Sequence, residues 1–76
     1  MTQFLPLAQA ALSQPIKLTH IQGNQRLSHR LADLGLTPGV EMRVVQNQHD
    51  CLILGVRDSR IVLGHGMAHK IMVELV

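Results

Sequence analysis

RLSHRLADLGLTPG, Arg26 to Gly39, reads as one helix, its stop signal and a tight turn into a strand. Leu27, Leu31 and Leu34 recur at i, i+4 and i+7, so all three are expected on one face of the helix. Arg26, Arg30 and Asp33 point elsewhere. Asn24 is placed to act as N-cap, because its amide oxygen can accept an orphan N–H of the first turn. Gly35 stands where a helix C-terminus takes a left-handed residue, a conformation only glycine adopts cheaply. Leu36 then falls where a Schellman motif sets its apolar contact, back against Leu31. Pro38 and Gly39 suit positions i+1 and i+2 of a type II turn.

Upstream of this stretch, residues 1–14 are apolar but irregular. Leu5, Leu7, Ala8, Ala11 and Leu12 can form a short helical turn after Pro6, and Pro15 ends it. Ile16 and Leu18 alternate with Lys17 and Thr19, the pattern of a half-buried strand. Ile21 breaks that period by one residue, which predicts a bulge or the end of the strand near His20. Downstream, Val40, Met42 and Val44 alternate as a second strand, and Gln46 to Asp50 reads as a polar loop. Cys51 to Val56 is an apolar run of strand length. Arg57-Asp58-Ser59 is a tight turn, and Arg60 to Leu63 returns as the partner of a hairpin. Gly64-His65-Gly66 interrupts it. Met67 to Lys70 predicts one helical turn with Ala68 inward, and Ile71, Val73 and Leu75 alternate as a last strand. Four or five short strands and one helix predict a mainly β chain closed into a small barrel, which would remove exposed edges.

Length and composition narrow the function. Seventy-six residues make one small domain, expected to run over 1–76. The chain has one Phe, no Trp and no Tyr, so its core must be aliphatic. The formal charge is +2, and the seven basic residues are scattered. Neither a basic footprint nor an aromatic stacking platform for nucleic acid is visible. One cysteine, Cys51, excludes an intrachain disulfide and fits a reducing compartment. The first residues form neither a signal peptide nor a membrane span. The expected location is cytoplasmic.

The order of elements, with Pro15-Ile16-Lys17-Leu18, Ile21-Gln22-Gly23, Arg30 to Gly39, Ile61-Val62-Leu63-Gly64, Ala68, Ile71 and Val73, resembles the FeoA family. The hallmark of that family is a helix ending R-L-x-x-L-G-(L/I)-x-P-G, present here in full. The resemblance spans about residues 4–75. It implies an SH3-like barrel of about five strands, with the helix inserted after the first strand. It implies a small cytoplasmic accessory protein of bacterial ferrous-iron transport. The implied partners are the cytosolic part of the membrane transporter FeoB and, in some systems, the small protein FeoC. The same barrel occurs in the C-terminal domain of DtxR-type iron-dependent repressors. The family brings no catalytic residues and no agreed metal site.

Three chemistries are weighed on the residues. Arg26, Arg30, Leu34, Gly35, Leu36, Pro38 and Gly39 form a candidate partner-binding surface. Two glycines and a proline stiffen its backbone, Leu36 and Pro38 offer apolar contact, and the arginines form a charged rim. His65 and His69 lie at i and i+4 if Gly64 to Lys70 is helical, a spacing that suits two imidazoles on one metal. A third ligand would have to come from His49, Asp50 or Cys51. The plainer reading is two surface histidines, with Cys51 a small core hydrophobe, so no metal site and no cofactor are assigned. An autonomous transition-metal-binding protein, for iron sensing or buffering, is the alternative function. No nucleophile–base constellation or phosphate-cradling loop appears, so an enzyme is not expected.

Overall fold

The architecture follows from six short strands wrapped around leucine, isoleucine and valine side chains. It was obtained as a computed structural model, which describes residues 4–23 and 25–76. The N-cap assigned to Asn24 lies outside the described residues. In chain order the elements are β1 (Phe4–Pro6), a 3-10 turn (Leu7–Gln9), β2 (Ile16–Ile21), α1 (Gln25–Asp33) and β3 (Glu41–Asn47). They are followed by β4 (Cys51–Val56), β5 (Ser59–Gly64), α2 (His65–Ala68) and β6 (Ile71–Leu75). The sheet runs β1-β6-β2-β3-β4-β5, and every ladder between these strands is antiparallel.

The alternation in the sequence places the core. Ile16 and Leu18 of β2, Met42 and Val44 of β3, and Ile71 and Val73 of β6 are buried, while Leu7 and Ala68 plug the interior from the short helices. All buried side chains among the described residues are apolar. Complete burial of aliphatic side chains is the main stabilising term open to so small a chain.

Several expectations require correction. The strands number six rather than about five, because Phe4–Pro6 pairs with β6 ahead of the 3-10 turn. Its three residues are too few to show a period, and Pro6 suggests a break. The helix accordingly follows the second strand. The polar residues Gln46 and Asn47 belong to β3, since Ile53 and Leu52 of β4 pair with them. Ser59 opens β5, so the hairpin turn is Arg57-Asp58 alone. Leu75 alternates correctly but is 46% exposed at the chain end. The ladders do not close into a ring: among the described residues nothing pairs β1 with β5, which remain the two edges. A single parallel bridge, Leu12 to Val44, ties the segment after the 3-10 turn to β3.

Of the bulge or strand end expected near His20, the structure has the bulge, and β2 continues to Ile21. Leu18 pairs with Val73 and His20 with Met72, leaving Thr19 as the extra residue. Its hydroxyl donates to the Met72 carbonyl at 2.9 Å, which satisfies a backbone acceptor at the irregular step. The chain then leaves β2 through Gly23, at φ +121°, into α1. Among the described residues no helix is long and apolar enough to cross a membrane.

Candidate functional site

The end of α1 is built from two consecutive turns that the sequence specifies in full. The Leu36 N–H donates to the Leu31 carbonyl at 2.9 Å, and the Gly35 N–H donates to the Ala32 carbonyl at 2.9 Å. That pair of bonds is the Schellman arrangement, and Gly35 takes the φ of +92° it requires. The motif swings Leu36 back beside Leu31, and both are completely buried. The Val40 N–H then donates to the Thr37 carbonyl at 3.1 Å, with Gly39 at φ +96°, as in a type II turn through Pro38. Bonds from the Gly39 N–H to the Leu18 carbonyl (2.7 Å) and from the Leu18 N–H to the Val40 carbonyl (3.0 Å) anchor this turn to β2.

Two members of the candidate surface behave differently from expectation. Leu34 is 51% exposed rather than the third leucine of the buried stripe. The helix ends at Asp33, so position 34 leaves the helical path, and Leu36 fills the place beside Leu31 instead. Leu36, assigned to partner contact, has no exposed surface to offer. Leu27 is half-buried against the core. Arg26, Arg30, Gly35, Pro38 and Gly39 are all exposed. The apolar groups presented at this end are therefore Leu34 and Pro38. They border an open groove of about 590 Å³, whose far wall is Val56, Arg57 and Ser59. That wall was not assigned from sequence. Its one signal is Arg57, in a hairpin turn that ordinarily takes Asn or Gly.

His65 opens α2 and His69 caps its C-terminus, but the pair is not brought into a ligand cluster. The Nε2 of His65 lies 2.8 Å from the Gln48 carbonyl, so that nitrogen donates a hydrogen bond to the backbone. The His65 N–H meets the Asp50 carbonyl at 3.3 Å. His65 thus fastens α2 to the β3–β4 loop, while His69 is exposed. The Cys51 sulfur sits 3.7 Å from the Gln48 side-chain oxygen. His49 and Asp50 lie 4.0 Å apart in solvent. Among the described residues no three His, Cys, Asp or Glu side chains are grouped to hold a metal.

The family model for the FeoA domain matches residues 5–75. The chain belongs to the FeoA family. It is 33% identical over 69 residues to the Methanocaldococcus jannaschii protein named "Putative Fe(2+) transport protein A", covering 91% of this chain and 84% of that one. The crystal structure of an iron uptake regulatory protein, FeoA, superposes with a TM-score of 0.87 at 27% identity. That match covers 96% of this chain and all of the other. A manganese-dependent transcriptional repressor shares the fold with a TM-score of 0.89 at 14% identity, this FeoA-family chain matching 44% of its length. The mainly β, SH3-like fold and the family implied by the R-L-x-x-L-G-L-x-P-G run are thus both present.

Proposed function

We propose that this protein is a cytoplasmic accessory subunit of ferrous-iron transport. It acts as one domain over 1–76, by docking on the cytosolic part of a FeoB-like transporter, with FeoC as a further partner. It works by binding rather than by catalysis, and its partner is protein rather than nucleic acid. The observation that carries this reading is Leu34. A large aliphatic side chain, 51% exposed, is held out from the core by a turn whose backbone is fixed on both sides. Exposing it brings no folding benefit, while a rigid apolar knob loses little ordering entropy on binding. Pro38 extends the apolar patch. Arg26 and Arg30, one helical turn apart and both exposed on α1, supply the charged rim.

Charge reversal tests the reading. Arg26→Glu combined with Arg30→Glu removes the rim and leaves the core untouched, because both side chains are exposed. The variant is expected to keep its melting temperature and to retain less of the transporter's purified cytosolic domain in a pull-down, with and without nucleotide. Undiminished capture by the variant places docking elsewhere on the molecule. No capture by the unmodified protein in either nucleotide state overturns docking itself.

A further inference from the structure

A row of side chains crosses the outer face of β3, β4 and β5 near the hairpin. Arg43 pairs with Gly55, and Gly55 pairs with Arg60, so two arginines on the outer strands flank a glycine on the middle one. At the usual strand spacing their Cα atoms stand roughly 10 Å apart. The space above the glycine is occupied from both sides. A Cβ built on Gly55 would lie 2.9 Å from Nη1 of Arg60, 3.6 Å from Cγ of Arg43 and 3.1 Å from Cγ2 of Val45. The Arg60 guanidinium therefore lies over Gly55, across from the aliphatic stem of Arg43.

Arg57 joins them from the hairpin turn. Its φ of +54° makes it one of two non-glycine residues with positive φ among the described residues. A bulky side chain in that conformation is costly, and Asn or Gly would fill the turn at less expense. The three arginines line one open groove of about 870 Å³, together with Val45, Met42 and a single carboxylate, Glu41. Among the described residues no carboxylate lies within ion-pair distance of Arg43, Arg57 or Arg60. Three arginines on one groove without a carboxylate partner leave their guanidinium forks open to a ligand that carries carboxylates.

We propose that this groove binds an extended acidic segment of a protein partner, its carboxylates taken by Arg43, Arg57 and Arg60 and an apolar side chain by the half-buried Val45. A single phosphate does not fit this layout. The charges are spread across three strands, and the groove is much larger than one anion and partly apolar. Guanidinium forks pair two-to-two with carboxylates, which suits arginine at all three positions. The inference is independent of the transporter reading, since it states the chemistry of the segment and not which protein supplies it.

The test uses the full chain at low salt and a short peptide alternating glutamate and valine. Its controls are the glutamine–valine counterpart and inorganic phosphate. Calorimetry and amide chemical shifts report the binding. The glutamate peptide is expected to bind and to shift Gly55 and its neighbours, and Arg43→Gln with Arg60→Gln to weaken it by about tenfold or more. Arg57→Asn is expected to weaken the peptide while raising the melting temperature, because it relieves the turn. Equal binding of the glutamine peptide, equal binding of phosphate, or full affinity in the double variant overturns the proposal.

Discussion

Gly35 and Leu31 show how far single residues determine this structure. Gly35 holds φ +92° and has open space where a Cβ would stand, so the constraint on it is conformational and not steric. Gly35→Val forces a β-branched residue into the left-handed region and is expected to cost about 1–2 kcal/mol or more. Gly66 offers the opposite case. It lies within α2, also with open space for a Cβ, and has no positive φ. Gly66→Ala is expected to be neutral or to stabilise by up to about 1 kcal/mol. Leu31→Ala empties a fully buried position against Leu36 and is expected to cost about 2–5 kcal/mol. Urea denaturation of the three variants checks all of these. An unchanged midpoint for Leu31→Ala contradicts the packing described for α1. These residues are legible in the sequence because capping and turn chemistry are local: Gly35, Leu36, Pro38 and Gly39 need no knowledge of the rest of the fold. Leu34 was not legible in the same way. Its spacing from Leu27 and Leu31 is correct for the buried stripe, and only the exact end of the helix decides that it faces solvent.

Elements were readable where a run of alternating residues is long enough to count. β2, β4 and β6 stand where the pattern sets them, including the bulge at Thr19. β1 was missed because three residues ending in proline carry no period, and their pairing with β6 is a long-range event. The end of β3 was missed because Gln46 and Asn47 are polar, and a strand that close to its end owes its ladder to β4 rather than to its own side chains. α2 shows how tertiary contact changes the meaning of a motif. His65 and His69 have ligand spacing, but His65 is bonded to the loop that packs beside it. His65→Ala is expected to cost about 0.5–1.5 kcal/mol, the net worth of an ordinary hydrogen bond, and His69→Ala to leave stability unchanged. Thermal melts of the two variants separate these outcomes. The same arrangement predicts that zinc or ferrous iron titrated into the monomer gives no one-to-one site of submicromolar affinity, since two donors leave a four-coordinate ion half satisfied. Calorimetry revealing such a site, lost in the double alanine variant, contradicts this account of α2.

For the molecule as a whole, two neighbouring grooves share one wall. Arg57, Gly39 and Val40 border both the groove beside Leu34 and the groove floored by Gly55. The first is flanked by an exposed leucine and proline, the second by arginines, so one face of the chain presents apolar and cationic chemistry side by side. The family was legible from the R-L-x-x-L-G-L-x-P-G run, but this face was not. It is assembled from the turn after α1 and from a hairpin some twenty residues later in the chain, which only the folded sheet brings together. The central claim is that the exposed end of α1 docks a transporter. The most direct measurement is a calorimetric titration of the purified cytosolic domain of a FeoB-like transporter with the unmodified protein and with Leu34→Asp. Because Leu34 is half in solvent, the substitution is expected to leave the melting temperature within a few degrees of the parent. It is expected to weaken binding by at least about tenfold, the loss of one central apolar contact. Identical affinities for the two proteins, with both folded, would contradict the claim.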